Sequence, residues 1–367
     1  MANIFDYLKW RGDISVCSSP FCEVDALILS EISYLDFSGI VTNDFSSTLT
    51  LREAARFFFS DSARAEKSLG LIIPDLIHDV LKIAANTRRF GDMKLTSFVS
   101  DTNEREEKQF SAMAVDTGDR HLFVAFRGTD DTIVGWREDF SMSYCYTVPS
   151  QVAAKKYLDS VAEKSPSPIR VGGHSKGGNL ALYSALNADY PVRERICAVY
   201  NFDGPGFAEE ITESESYAAL RGRIHTFVPE NSIVGMLLNH DSEFVTVRST
   251  ASGVYQHDGF TWGIDVNKFA ALPEGSINNQ RNDKILKNWL SSFDYNKRRE
   301  FTESLFELLE ATGAKTLTDL SIDRLEKAKE FISALSKFDK EKRKTLSEAL
   351  AFLVKETLKN KLKKDNK

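Results

Sequence analysis

Cysteine is scarce in this chain: four residues of 367, at Cys17, Cys22, Cys145 and Cys197. They form no Cys-x-x-Cys pair and no pattern with histidine that suits zinc. Cys17 and Cys22 are near enough in sequence to bridge in an oxidising compartment, but reduced thiols are expected. No apolar run reaches the roughly eighteen residues that a membrane-spanning helix needs. The start, Met1-Ala2-Asn3-Ile4-Phe5-Asp6-Tyr7-Leu8-Lys9-Trp10, lacks the basic and then apolar layout of a secretion signal, and a cytoplasmic location is expected. There is no internal repeat and no low-complexity segment. Histidine numbers only six, which keeps the set of candidate bases small.

What is present fits a globular chain, with 42% hydrophobic and 27% charged residues. The length suggests about two structural units. The net charge of −6 divides unevenly. Residues 281–367 carry 21 Lys and Arg against 15 Asp and Glu, leaving 26 against 38 in residues 1–280. An acidic body with a basic tail is not the profile of a nucleic-acid-binding protein. The lysine-rich end Lys359–Lys367 fits a solvated terminus or a contact with an anionic membrane surface.

Residues 1–40 form a lead-in containing the apolar run Asp25–Ser30, expected to start a buried helix. Residues 48–90 read as helical, with Leu69, Ile72, Ile73, Leu76, Ile77 and Val80 giving one apolar face. Residues 94–100 and 109–115 read as a hairpin, and 120–126 as a further strand ending in Arg127-Gly128-Thr129. A helix over 150–163 follows. Strands are expected again at 196–202, 223–228 and 243–247. Strands alternating with helices predict an α/β fold with a mostly parallel central sheet flanked by helices. From residue 281 the strand pattern stops. Leu305, Leu308 and Leu309, then Leu325, Ile332, Leu335 and Phe338, then Leu346, Leu350, Leu353 and Leu358 have helical spacing, with Thr318 and Ser321 as expected helix starts. Residues 1–280 are therefore expected to form the α/β domain, and 281–367 a separable helical extension.

The strongest signal is Gly173-His174-Ser175-Lys176-Gly177, between a predicted strand and a predicted helix. It has the Gly-x-Ser-x-Gly form of a nucleophile elbow. A serine at the tip of such a turn sits in a strained backbone, and side chains two positions either side would collide. The following helix points free N–H groups at the serine, where an oxyanion would form.

Val124-Ala125-Phe126-Arg127-Gly128-Thr129, followed by Trp136 and Asp139, resembles the strand and loop that precede the elbow in class 3 lipases. Together with the elbow, it resembles a family of uncharacterised bacterial lipase-like α/β-hydrolase proteins, which share a segment similar to Asn3–Leu8. The resemblance spans roughly residues 1–265. It implies the α/β-hydrolase fold and hydrolysis of carboxylic esters, either small acyl esters or acyl lipids. It also implies that the N–H groups of Thr129 and Lys176 receive the oxyanion. A serine needs a base to become a nucleophile, and in α/β-hydrolases the histidine follows it in the chain. His225 sits within a predicted strand, while His240 and His257 lie in loops. His257 follows the last predicted strand, where the family's catalytic histidine falls, and His174 is expected to pack.

The acid departs from the class 3 pattern. The position matching that family's aspartate is Ser232, which has no carboxylate. Two replacements remain open: Glu230, in the same loop, and Asp203, in Asn201-Phe202-Asp203-Gly204-Pro205-Gly206. The latter segment resembles the acid-bearing turn of pancreatic-type lipases. Asp203 is favoured, although a capping role in its turn would also account for it. The leading expectation is a serine esterase with Ser175, His257 and Asp203, whose chemistry needs no metal or organic cofactor. The alternatives are a hydrolase-fold binding or scaffold protein with little turnover, and an amidase or peptidase.

Overall fold

The computed structural model describes residues 1–230, 232, 234–235, 237–238, 243–273, 294–322, 324–344 and 346–347. Helices α1 (Ile4–Arg11) and α2 (Glu23–Ile32) open the chain. Asn3 caps α1, accepting from the Phe5 and Asp6 N–H groups while Asp6 accepts from the Asn3 N–H. From Val24 to Ile32 every residue of α2 is buried, including the acidic Asp25 and Glu31. Asp25 is answered by an enclosed ion pair with Arg89 and by the Tyr7 hydroxyl at 2.8 Å. A buried carboxylate is tolerable only with such partners.

Eight strands follow one another across a single sheet: β1 (Leu49–Thr50), β2 (Lys94–Asn103), β3 (Lys108–Asp116), β4 (Leu122–Phe126), β5 (Ile169–His174), β6 (Ile196–Phe202), β7 (Ile224–Pro229) and β8 (Val245–Val247). The pairs from β1 to β4 are antiparallel, and those from β4 to β8 are parallel. Side-chain alternation along β4 divides the core. Phe123 and Ala125 join α1 and α2 on one face. Leu122, Val124 and Phe126 join α7 (below) and the elbow helix on the other.

Between β1 and β2 lie α3 (Leu51–Ser60), α4 (Ser62–Ala65) and α5 (Leu76–Ala84). The helical reading of 48–90 thus resolves into three separate helices. Gly70 sits at φ +108°, a left-handed conformation, and Pro74 cannot continue a helix, so Leu69–Ile73 form a loop. Ile72 is half exposed, and the buried stripe of α5 is instead Ile77, Val80, Leu81 and Ala84. After β4 come α6 (Ile133–Ser141) and α7 (Pro149–Lys164). Helix α8 (Lys176–Asn187) leaves β5 directly, and the short α9 (Tyr190–Arg193), α10 (Glu209–Thr212) and α11 (Glu215–Leu220) flank β6.

The C-terminal helices are α12 (Tyr295–Ala311), α13 (Leu317–Ser321) and α14 (Arg324–Lys337). Helix α13 starts from a cap at Thr316, ahead of the expected starts at Thr318 and Ser321, because Asp319 completes a capping box there. Phe338 and Leu346 are buried, whereas Ile332 faces outward. Leu350, Leu353, Leu358 and the lysine-rich end lie outside the described residues. This helical region is seated on α6. Phe306 packs with Ile133, and its ring meets Phe140 edge-on at 5.6 Å. Arg137 and Glu310 form an ion pair at 2.6 Å. The Ile133 N–H donates to Lys315 O, and the Leu317 N–H to Asp131 O. The Asp131 carboxylate accepts from the Thr318 N–H at 3.0 Å and from the Leu71 N–H at 3.1 Å. No helix among the described residues is long and apolar enough to cross a membrane.

Phe306→Ala should cost about 3–5 kcal/mol through the cavity it leaves. Urea unfolding followed at the tryptophans checks this. A body transition unmoved by the substitution would mean that residues 294–347 fold apart from the sheet.

Candidate active site

Ser175 stands between β5 and α8 at φ 57°, ψ −134°. A non-glycine residue held there stores about 1–3 kcal/mol of strain, so the surroundings must enforce it. Gly173 and Gly177 make the turn possible. A Cβ on Gly173 would overlap the backbone of Gly177, and a Cβ on Gly177 would overlap the Phe126 carbonyl. The parallel register pairs Phe126 with Gly173 and His174 with Phe202. Ser175 and Asp203 therefore leave neighbouring strands at the same level. Asp203 also adopts a left-handed backbone, at φ 52°.

The Asp203 side chain is fully buried. Its Oδ2 meets His257 Nδ1 at 2.6 Å, and its Oδ1 accepts from the Ser232 hydroxyl. Ser232 Oγ in turn accepts from the Gly235 N–H at 2.9 Å. Burial raises the carboxyl above the usual aspartate range, while His257 and then Ser232 oppose that shift. Glu230 closes the same loop from the end of β7, but the His257 Nδ1 contact is made by Asp203. His240 lies outside the described residues. His257 sits at the end of a 3-10 turn, Gly253–His257. Its Nε2 and the Ser175 hydroxyl have no hydrogen-bond partner among the described residues.

His174 does more than pack. Its Nε2 lies 2.7 Å from the His257 carbonyl, which can only accept, so Nε2 carries the proton. Nδ1 is then an acceptor facing the Tyr34 hydroxyl at 3.3 Å and Glu31 Oε1 at 3.6 Å. Burial, with His257 adding to it, holds the His174 pKa down at about 3. Burial, with Asp258 adding to it, raises the Glu31 carboxyl well above its usual range. His174 is therefore held neutral. The two imidazoles lie 4.6 Å apart.

On the other side of the elbow, the turn after β4 packs against the elbow strand: a Cβ on Gly128 would overlap the Tyr34 hydroxyl and crowd the His174 carbonyl. The Thr129 N–H makes no hydrogen bond among the described residues. The Lys176 N–H, first in its helix, has no intrahelical acceptor. The Thr129 hydroxyl donates to Asp139 Oδ2. Two N–H groups without an acceptor among the described residues thus stand on the turns that flank the strained serine.

Sequence reasoning passed over Glu31, Tyr34 and Ser232. An acidic residue at the end of an otherwise apolar helix was a readable signal for Glu31. Ser232 was considered only as an absent carboxylate, so its donor role went unnoticed. Among the described residues, no group of three or more His, Cys, Asp or Glu side chains is arranged to hold a metal ion.

A mostly parallel sheet with helices on both faces and a sharp serine turn between β5 and α8 defines an α/β-hydrolase-fold protein. The family model described as Mbeg1-like matches residues 84–307, more than half of the chain, and the chain belongs to the Mbeg1-like family. An uncharacterized protein of Saccharomyces cerevisiae is 24% identical over 193 residues, which cover 52% of this chain and 26% of that protein. The chain thus spans about a quarter of the length of this curated relative. Among solved structures, the Rhizomucor miehei lipase in its propeptide complex is similar at 18% identity and a TM-score of 0.32, over 43% of this chain and 56% of that one. The Lip2 lipase of Yarrowia lipolytica is similar at 17% identity and a TM-score of 0.33, over 55% and 81%.

Two outcomes follow from this geometry. Ser232→Ala leaves a buried carboxylate oxygen of Asp203 without its donor and should cost about 1–3 kcal/mol of stability in urea unfolding. His174 carries the pH dependence. It is neutral when folded down to about pH 3 but protonates near 6.5 when unfolded. Its contribution is therefore complete above 6.5 and is lost as pH falls through that window, by up to about 1.4 kcal/mol per pH unit. Glu31, raised when folded, acts with the opposite sign as pH rises above its unfolded value. His174→Gln retains a donor for the His257 carbonyl and does not titrate. It should flatten the acid limb of urea midpoint against pH; an unchanged slope would remove His174 as its source.

Proposed function

We propose that the protein is a lipase-like serine hydrolase acting on carboxylic esters, either small acyl esters or acyl lipids. Ser175 Oγ attacks the carbonyl carbon while His257 Nε2 takes the hydroxyl proton. The oxyanion settles on the N–H groups of Thr129 and Lys176. Collapse of this intermediate expels the alcohol, which receives its proton from His257. Water then attacks the acyl-enzyme, with His257 again as base, and releases the acid and free Ser175. Asp203 holds the ring through Nδ1 and stabilises the imidazolium.

The observation that carries this reading is the 2.6 Å contact between His257 Nδ1 and the buried Asp203 carboxylate, beside a serine at φ 57°. A carboxylate sealed from water, with one oxygen on an imidazole, is an arrangement suited to orienting a base. Ser232 supplies the other oxygen with a donor and so offsets the cost of burying the charge.

The test is labelling with a fluorophosphonate probe alongside turnover of a short p-nitrophenyl ester. The wild type should label at Ser175, and Ser175→Ala should lose both signals. His257→Ala should be as damaging as Ser175→Ala, with the double variant no worse, because the groups act as a unit. Asp203→Asn should lower kcat by about 10⁴ with the fold intact, as in the known serine-protease case. Glu230→Gln should stay close to wild type. A folded wild-type protein that neither labels nor turns over would make this a binding scaffold on a hydrolase fold.

A further inference from the structure

Lys176 offers its N–H to the proposed oxyanion site, yet its side chain goes elsewhere. The ammonium is fully enclosed, as is the Glu138 carboxylate it meets at 3.1 Å. Its hydrogens go to Gln109 O at 3.0 Å, Gln109 Oε1 at 2.7 Å and Glu138 Oε2. Glu138 also accepts from the Gln109 N–H at 3.0 Å, the Ser150 N–H at 2.7 Å and the Ser150 hydroxyl at 2.6 Å. Asp139 Oδ1 lies 3.7 Å from the ammonium, and Asp139 Oδ2 holds the Thr129 hydroxyl. Gly135 brings α6 close: a Cβ there would stand 3.0 Å from Thr129 and 3.1 Å from Gln109 Oε1. The cluster therefore joins β3, α6, α7, the turn after β4 and the first residue of α8.

Stability alone is a poor reason for such a cluster. Removing an ammonium and a carboxylate from water is expensive, and well-packed apolar side chains usually serve stability at least as well. What such an ionic network adds is fixed distance and direction: the ammonium and Glu138 are hydrogen-bonded throughout, and Asp139 Oδ1 joins them through the ion pair alone. Here it fixes Lys176, which bears one free N–H, against Asp139, which grips the residue that bears the other.

We infer that the Lys176 side chain is a positioning group: through Glu138 and Asp139 it sets the separation between its own N–H and that of Thr129. The inference rests on the ester-hydrolase reading and extends it to the residues that hold the oxyanion donors in register. The ammonium touches no substrate; it acts through the backbone to which it is attached.

The test compares Lys176→Met, Glu138→Gln and the double variant. Kinetics on a short p-nitrophenyl ester, fluorophosphonate labelling rate and urea midpoint are measured for each. Each single change leaves a buried group without its partner and should lower the midpoint. The double variant removes both buried charges together, so its midpoint should fall by less than the two single losses combined. The kcat should nevertheless stay down about 10–100-fold, with KM within about twofold, because a small misplacement of donors costs rate rather than binding. A double variant whose kcat recovers would overturn the inference and leave the cluster a purely structural one. Lys176→Arg keeps the charge but changes reach and geometry. It should fold and lose about tenfold in kcat, and a wild-type rate would overturn the inference even if the double variant failed to fold. A wild type that neither labels nor turns over would overturn the hydrolase reading, and this inference with it. A wild type that labels, beside a double variant at full rate, would overturn this inference alone.

Discussion

The carbonyl of Phe126, at the end of β4, lies against the first turn of α8, and Gly177 leaves room for it because it has no side chain. The rest of the site depends on that approach. It locks the exit of β4 to the start of α8, so the turn carrying Thr129 lies beside the turn carrying Ser175. The β5–β6 register then places Asp203 one strand further on, at the same level. Parallel strands bring these groups to one edge of the sheet because their C-terminal ends all emerge on the same side. The cost is local strain at Ser175 and Asp203, both held at positive φ. The buried parallel strands around them supply the rigidity that keeps both there.

The carboxylate on His257 belongs to Asp203, one strand away from the position that matches the class 3 aspartate, and Ser232 at that position remains part of the arrangement. Ser232 approaches the same carboxylate from the far side and donates to it. A carboxylate at either strand end can reach the histidine, and a hydroxyl at the other then satisfies the oxygen the histidine leaves over. The two positions are chemically complementary, so moving the charge from one to the other preserves the hydrogen-bond count at a fully buried group.

Local features of this arrangement were legible in the chain. Gly173, Ser175 and Gly177 announce their turn because the steric requirement falls within five residues. The alternation at 94–100 and 109–115 announces a hairpin for the same reason, and β2 and β3 do pair antiparallel. The contact between Asp203 and His257 joins groups 54 positions apart, so spacing alone allowed Glu230 as well. The donor role of Ser232 was invisible because a hydroxyl's partner depends on what lies opposite it in space. The stripe from Leu69 to Val80 misled because apolar spacing was weighed above Gly70, whose left-handed backbone breaks the helix, and Pro74, which prevents its renewal. The network around Lys176 was hidden for a related reason. A lysine in the elbow reads as a surface residue until β3, α6 and α7 are folded around it.

Asp131 has a consequence for the order in which the chain acquires its form. The turn after β4 is completed by bonds that this aspartate accepts from the Leu317 and Thr318 N–H groups, the second of them 187 positions later. The sheet strands that frame the turn pair with near neighbours in sequence and need no such wait. On a ribosome, residues 1–273 can emerge and pair while the backbone around Asp131 still lacks its distant partners. Long-range closures of this kind are entropically late events. A nascent chain would thus carry its serine elbow well before the turn opposite it is braced. A product truncated before residue 294 would display the motif without the braced turn.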